Sequence, residues 1–450
     1  MKKLLFILSP LLLFGYTVDF EKSLEKTVEM NKGLKAKKLS IKQSSEDLNI
    51  ANGYDYGSLV FNENISKTNH AGYVFGMKTA SREAKMKDFG FTAIPPSGTL
   101  VGDIAPEALN NPESRTNYET KITYSVPLFT GFKLENAKKM AKLQLLAQEA
   151  KYNFDEKALG LEVLKAYNGA VAAKEFIKAT SKAKEATSSF VEFAHELFNE
   201  GLVTSIDVKQ AKVYDMGVDA SMIESKNRYD LAMSYLRFLT SDKHITDVAE
   251  FKNIDNKITN VQQLQQKAHE NREDFSWMKY NTQTLKAKIE LENSEFYPTI
   301  GVQIEYGYND NQLNNINSEH DYYMGAIALS YNLFDGFISS SKKEKAKIEY
   351  KKIKYYYEYM KDGIKLEVEK NILTLDAKQK ILNQKIKANN LSDEVLEQSQ
   401  ELYKNHLINM SNLLLQQANQ QKANAEMILA KYEKSLAAGR LKVSLGESLK

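Results

Sequence analysis

The sequence predicts a mixed α/β membrane protein: mainly long coiled-coil helices with four membrane-crossing β-strands per protomer, laid out as an internal twofold repeat. Three observations carry that prediction. Ser125-Val126-Pro127-Leu128-Phe129-Thr130-Gly131-Phe132 returns 205 residues later as Ser330-Tyr331-Asn332-Leu333-Phe334-Asp335-Gly336-Phe337, and Glu196-Leu197 and Leu202 return as Glu401-Leu402 and Leu407. Ahead of each octet apolar and polar residues alternate, the period of a β-strand. Behind each runs a helical pattern of about 67 residues, which at 1.5 Å per residue is ~100 Å long. A strand feeding so long a helix, twice in one chain, suits a conduit better than a globular enzyme.

Composition agrees with long elements. Only 7 Pro and 21 Gly interrupt 450 residues, too few for a string of compact domains with many turns. The formal charge of +3, or +1 without Lys2 and Lys3, lacks the basic footprint of a nucleic-acid binder, so no nucleic-acid partner is expected. The absence of cysteine excludes a disulfide framework and a lipid on a mature N-terminal Cys.

Taken in order, Met1-Lys2-Lys3 and the apolar stretch Leu4–Gly15 have the charged start and short apolar core of a secretory leader, assigned to residues 1–17. That stretch is short of the ~20 residues a spanning helix needs. The first repeat, residues 18–240, opens with a helix over about 19–53 and a weak strand over 57–65. A long loop at about 66–116 precedes the clear strand 117–128. There Tyr118, Ile122 and Tyr124 lie on one face, assigned to lipid, and Asn117, Glu119, Lys121 and Thr123 on the other. In the helix that follows, a four–three apolar stripe runs from Leu159 through Val163, Ala166 and Ala170 to Phe198, the seam of a coiled coil. It stops at Glu200-Gly201-Leu202-Val203-Thr204, where Gly suits a helix end and Thr a helix start. A return helix follows over about 205–240.

Residues 241–260 link the repeats and are the candidate for a side belt. The second repeat, 261–450, has a helix over about 261–297 and a strand over 299–309 with Val302, Ile304 and Tyr306 on its lipid-assigned face. After a polar loop comes a strand over 323–333, where Ile327 and Leu329 take that face. Its long helix carries the stripe Ile353, Tyr357, Met360, Ile364, Val368, Ile372 and Leu375, breaks at Asn405-His406-Leu407-Ile408-Asn409, and returns over about 410–445. Ten-residue segments of period two with aromatic ends are what a transmembrane β-barrel displays. Four strands cannot close one, and an open edge is not tolerated in lipid. The chain must therefore pool strands with identical copies; two copies would supply eight and three would supply twelve, and the strand count alone does not choose.

No catalytic chemistry is legible. The six histidines, at 70, 195, 244, 269, 320 and 406, show no metal-ligand spacing, and no nucleophile motif, phosphate loop or paired carboxylates stand in a defined context. Lys342, Lys343, Lys345, Lys347, Lys351, Lys352 and Lys354, echoed by Lys138, Lys139 and Lys142, follow the strands closely. Such a run is either a solvated helix face or a contact for anionic head groups.

Across essentially all of the mature sequence the chain resembles the TolC family of outer-membrane efflux and secretion channels. The resemblance rests on the two octets, on Gly201-Leu202-Val203-Thr204-Ser205-Ile206-Asp207-Val208, and on Asn271-Arg272-Glu273-Asp274 with Phe296-Tyr297-Pro298 closing the helix before a strand. It implies a homotrimer whose twelve-stranded barrel sits in outer-membrane lipid, continuous with a twelve-helix tunnel through the periplasm. It implies a passive exit duct of a tripartite efflux or type I secretion system, served by a periplasmic adaptor and a proton-driven or ATP-driven inner-membrane pump, with no cofactor. The helical tips would dock on the adaptor through Gly201, Leu202, Val203, Thr204, Leu407, Ile408 and Asn409. In the family's gate, Asp207 matches the first-tip aspartate and Tyr403 its tyrosine partner, a pair expected to share a hydrogen bond. Ile408 stands where the family has arginine, and Asn412 and Leu415 stand at its two acidic positions, which implies a weaker lock and a less acidic entrance. The competing reading is a coiled-coil envelope protein whose strands only anchor it.

Overall fold

The computed structural model describes residues 15–89, 91, 107–254, 260–313 and 318–449. Residues 1–14, most of the expected leader, and Pro95-Pro96-Ser97-Gly98 of the long loop lie outside them. The chain forms two compact units: Met1–Gln43, Leu146–Tyr280 and Lys354–Lys450 in the first, Ser44–Leu145 and Asn281–Ile353 in the second.

The first unit is helical. Its elements are β1 (Tyr16–Val18), α1 (Phe20–Met30), the start of α2 (Lys32–Gly53), most of α5 (Lys133–Asn199), α6 (Ser205–Thr240), β4 (Ile245–Val248), α7 (Val261–Asn271), the start of α8 (Glu273–Asn293), most of α9 (Ile338–Lys404) and α10 (Met410–Ser444). Both α5 and α9 are single helices of 67 residues. Their apolar stripes form the core: Val163, Ala166, Ala170, Ile364, Val368, Ile372 and Leu375 are all buried. Small residues along α5 and α10, such as Ala166, Ala170, Ala437 and Ala438, let backbones approach, while fully buried Leu164, Tyr167, Leu236 and Leu441 fill the space between. Each such large apolar side chain contributes about 1.5–3 kcal/mol relative to exposure.

Three features of this unit differ from the sequence reading. The helices expected over 19–53 and 261–297 are each broken. At the first break Asn31 ends α1 and starts α2, its Oδ1 accepting from Leu34 N (3.0 Å) while its Nδ2 donates to Leu239 O (2.9 Å). At the second, Arg272 turns its guanidinium onto Asp274 (2.7 Å) and Glu367 (2.5 Å). The last difference lies in the link: β4 pairs in parallel with β1, so Tyr16 and Thr17, the last positions assigned to the leader, form a strand. The link docks on α5, where Tyr167 Oη donates to Glu250 O (3.0 Å) and Asn168 Oδ1 accepts from Lys252 N (3.0 Å).

The second unit holds one antiparallel sheet in the order β2 (Ser58–Thr68), β3 (Arg115–Phe129), β5 (Thr299–Asp310), β6 (Asp321–Ser330). The final strand stops at Ser330, three residues short of the expected Leu333. Short helices α3 (Ala71–Ala80) and α4 (Glu107–Asn110) lie within the long loop. The repeated octet is the corner where a strand becomes a long helix. Gly131 and Phe132, like Gly336 and Phe337, take positive φ of 62°, 68°, 68° and 67°. The residue before each pair caps the helix: Thr130 Oγ1 accepts from Leu134 N (3.2 Å), and Asp335 accepts from Ile338 N (3.1 Å) and Ser339 N (2.8 Å). Two successive left-handed residues form the corner between strand and helix, and the cap satisfies amides that a helix start leaves unpaired.

Candidate functional site

The tips of the first unit are two copies of one device. After α5, Gly201 takes φ 73°, Gly201 N donates to Phe198 O (3.0 Å) and Leu202 N to Leu197 O (2.8 Å). After α9, His406 takes φ 60° and the same bonds run from His406 N to Tyr403 O (2.9 Å) and from Leu407 N to Leu402 O (2.9 Å). A left-handed residue ending a helix in this way satisfies its last carbonyls. Thr204 and Asn409 then begin the return helices. The result leaves Leu202 and Leu407 exposed at equivalent points, with Gly201 and Thr204 also exposed, while Val203 and Ile408 turn back onto a shared core of Ala194, Leu197, Val208, Ala211, Tyr403, Met410, Leu413 and Leu414.

Asp207 and Tyr403 do not make the expected hydrogen bond. Asp207 is the third residue of α6, and its Oδ2 accepts from Thr204 N (2.9 Å) and Thr204 Oγ1 (2.7 Å), closing a capping box. Tyr403 is 4% exposed and packs edge-on against Phe193 at 5.8 Å between ring centres. Its hydroxyl is buried without a hydrogen-bond partner among the described residues. Burial, and then the nearby Asp207 charge, push that hydroxyl above its ordinary pKa. The carboxylate is thus held by its own helix start, because a cap three residues away costs less ordering than a reach across the tip. Asn412 is the matching third residue of α10; its backbone N–H is capped by Asn409 Oδ1 (2.9 Å), and its side chain is exposed, as is Leu415.

Sequence reading missed the cross-links behind the tips. Lys184, a stripe position by spacing, instead pairs with Asp215 (2.7 Å) and Asp219 (2.6 Å) of α6, and Thr187 Oγ1 donates to Asp215 (2.7 Å). Polar residues interrupting an otherwise apolar stripe were the available sign. Tyr214 Oη donates to Gln421 Oε1 (3.2 Å), and its burial pushes that hydroxyl up to about 12. Tyr214 and Gln421 line a cavity of about 820 Å³ bordered by α5, α6, α9 and α10. Among the described residues no cluster could hold a metal ion, and no helix is long and apolar enough to cross a membrane.

In the second unit the sheet has two unlike faces. Register sets Ile122 opposite Tyr306 and Phe61, Tyr124 opposite Ile304 and Leu59, Tyr118 opposite Ile65, Val302 opposite Ile327, and Ile300 opposite Leu329. Of these, Ile122, Tyr124, Ile304, Tyr306, Ile327 and Leu329 are exposed. The opposite face carries a polar network. Thr123 Oγ1 donates to Glu305 (3.2 Å), Tyr322 Oη to Glu305 (2.9 Å) and Glu119 (3.3 Å), and Asn117 Nδ2 to Asn309 (3.0 Å). Lys121 Nζ lies 3.4 Å from Glu119 and 3.6 Å from Glu305. Edges β2 and β6 have one paired side each.

The fold is that of known outer-membrane channels. The chain superimposes on CusC, a protein whose crystal structures concern folding and transmembrane channel formation, with a TM-score of 0.78 at 13% identity, over 97% of this chain and 94% of that one. It is similar to a membrane protein from Pseudomonas aeruginosa (TM-score 0.79, 15% identity, 96% and 94% covered) and to the outer membrane protein VceC from Vibrio cholerae (0.76, 15%, 96% and 97%). No curated protein sequence matches it significantly. The sequence pattern of the outer membrane efflux proteins matches residues 97–241 and 264–447, one segment in each repeat. With nearly three quarters of its length matched in this way, the chain belongs to the outer membrane efflux protein family.

Proposed function

We propose that three copies of this chain assemble into an exit duct: a twelve-stranded barrel in the outer membrane and a twelve-helix tunnel in the periplasm. The observation that carries this reading is a four-stranded sheet with one apolar face, one hydrogen-bonded polar face and two open edges. In hydrocarbon each unsatisfied backbone group costs several kcal/mol, so the edges must meet other copies. Exposed apolar rows support helix pairing as well. On α6 Ile206 and Val213, Met216 and Ile223, and Leu231 and Phe238 are exposed at sevenfold spacing, as are Tyr359, Leu366 and Leu373 on α9; these are unpartnered coiled-coil seams.

The duct works passively with a periplasmic adaptor and an inner-membrane pump, in a tripartite efflux or type I secretion system. The leader directs export and ends before Tyr16, which pairs in β1, and 241–260 form the side belt between the repeats 18–240 and 261–450. The adaptor contact is assigned to the exposed tips. Replacing both Leu202 and Leu407 by Asp should abolish export while the oligomer still reaches the outer membrane. Normal export by that double variant would place the contact elsewhere. Mass measurement in detergent and conductance in planar bilayers test the assembly: a stable monomer, or a trimer that passes no current, as expected of a mere anchor, overturns the reading.

A further inference from the structure

We propose that the base of the sheet carries a binding surface for anionic phospholipid head groups, made by Lys139 on α5 and Lys342 and Lys345 on α9. It rests on the reading that the sheet lies in the outer membrane. An aromatic collar marks where the apolar face ends. Tyr56 precedes β2, Phe132 follows β3, Phe296 and Tyr297 precede β5, and Phe334 and Phe337 follow β6, all at one end of the sheet and all exposed. Aromatic rings with exposed edges at the end of an apolar band belong at the lipid–water boundary.

Immediately past that collar the charge is one-sided. Residues 338–354 contain seven lysines against Glu344 and Glu349, and residues 133–142 contain four against Glu135. Several are occupied: Lys133 pairs with Glu295 (2.9 Å), Lys138 with Asp55 (2.7 Å) and Lys347 with Glu344 (3.0 Å), and Lys343 donates to Asn293 (2.6 Å) and lies over the Phe296 ring. Lys139, Lys142, Lys342, Lys345, Lys351, Lys352 and Lys354 are exposed and have no ion pair among the described residues.

Depth separates these seven. Lys342 and Lys345 lie about 6 and 10 Å beyond the start of α9, and Lys139 about 9 Å beyond the start of α5, whereas Lys142 lies about 14 Å along α5 and Lys351, Lys352 and Lys354 about 20–24 Å along α9. The headgroup layer on each side of a bilayer is roughly 5–8 Å thick. A flexible lysine arm near the collar reaches it; lysines about 14 Å or more down are beyond a Debye length of ~8–10 Å and feel it weakly. Only the upper three therefore recognise lipid phosphate.

The test reconstitutes the full chain into mixed phosphatidylcholine–phosphatidylglycerol bilayers and reads, by native mass spectrometry, which lipid stays bound. Wild type should retain phosphatidylglycerol over phosphatidylcholine about fivefold per engaged lysine. K139Q/K342Q/K345Q should lose most of that preference, K351Q/K352Q should keep it, and added salt should weaken it in wild type. No preference in wild type, or equal loss in both variants, overturns the assignment. Failure to insert into either lipid sinks the barrel reading itself, whereas insertion without preference sinks only the lipid site.

Discussion

Gly131 and Gly336 occupy equivalent positions in the repeat, with φ of 62° and 68°, yet they are not under equal constraint. A Cβ on Gly131 would lie 2.6 Å from Ser294 O and 2.8 Å from Tyr297 Cβ, while one on Gly336 would meet nothing within 4 Å. Left-handed backbone costs an L-residue roughly 1–2 kcal/mol, and overpacking adds roughly 1–3 kcal/mol. Gly336→Ala should therefore cost about 1–2 kcal/mol and Gly131→Ala about 2–5 kcal/mol. Thermal unfolding of the two variants gives the ranking, and equal losses would show that the Ser294 turn yields without cost. The same scale explains the tips. His406 takes the conformation Gly201 takes, so the second tip is formed by a residue that tolerates φ of 60° less well.

At the scale of elements, β1, β4 and α1 are clasped by Asp242. Its Oδ2 accepts from Tyr16 Oη (2.8 Å) and pairs with Lys26, and its Oδ1 accepts from His244 N (2.9 Å). Burial opposes ionisation there, but Lys26, the His244 amide and Tyr16 outweigh it and hold the carboxyl at about 2. A depressed carboxyl stabilises the fold above its unfolded pKa and loses that contribution as pH falls through the folded one. The clasp should thus be at full strength above pH ~5 and fade as pH falls, vanishing only below pH ~2. Asp242→Asn is expected to cost about 2 kcal/mol at neutral pH, with wild type and variant converging only below pH ~2 in denaturant titrations. A constant gap at every pH would mean that the carboxylate charge is irrelevant.

For the whole molecule, the two faces of the sheet decide which side meets lipid. Ile122 is exposed among Phe61 and Tyr306, whereas Thr123 lies beside Glu305. An Arg at position 122 should cost about 2–4 kcal/mol near the bilayer midplane. Thr123→Lys, facing a carboxylate on the polar side, should be mild. Heat stability of the purified assembly ranks the two, and equal damage would mean the faces are exchanged.

The sequence by itself determined the repeat, the two 67-residue helices, their return helices, and the strands β2, β3, β5 and β6. These are legible because long elements repeat a period many times, so the pattern stands above chance. The tertiary structure alone decided what hangs on one residue or on contacts distant in sequence. Strands of three and four residues, as in β1 and β4, carry no measurable period and exist through pairing between positions 16–18 and 245–248. The breaks at Asn31 and Arg272 depend on Leu239 O and Glu367, which no local pattern brings near. Asp207 was legible as a tip carboxylate, but its choice of Thr204 over Tyr403 was not. Competition among donors for one carboxylate is settled by geometry of a few tenths of an ångström, and only the folded chain supplies it.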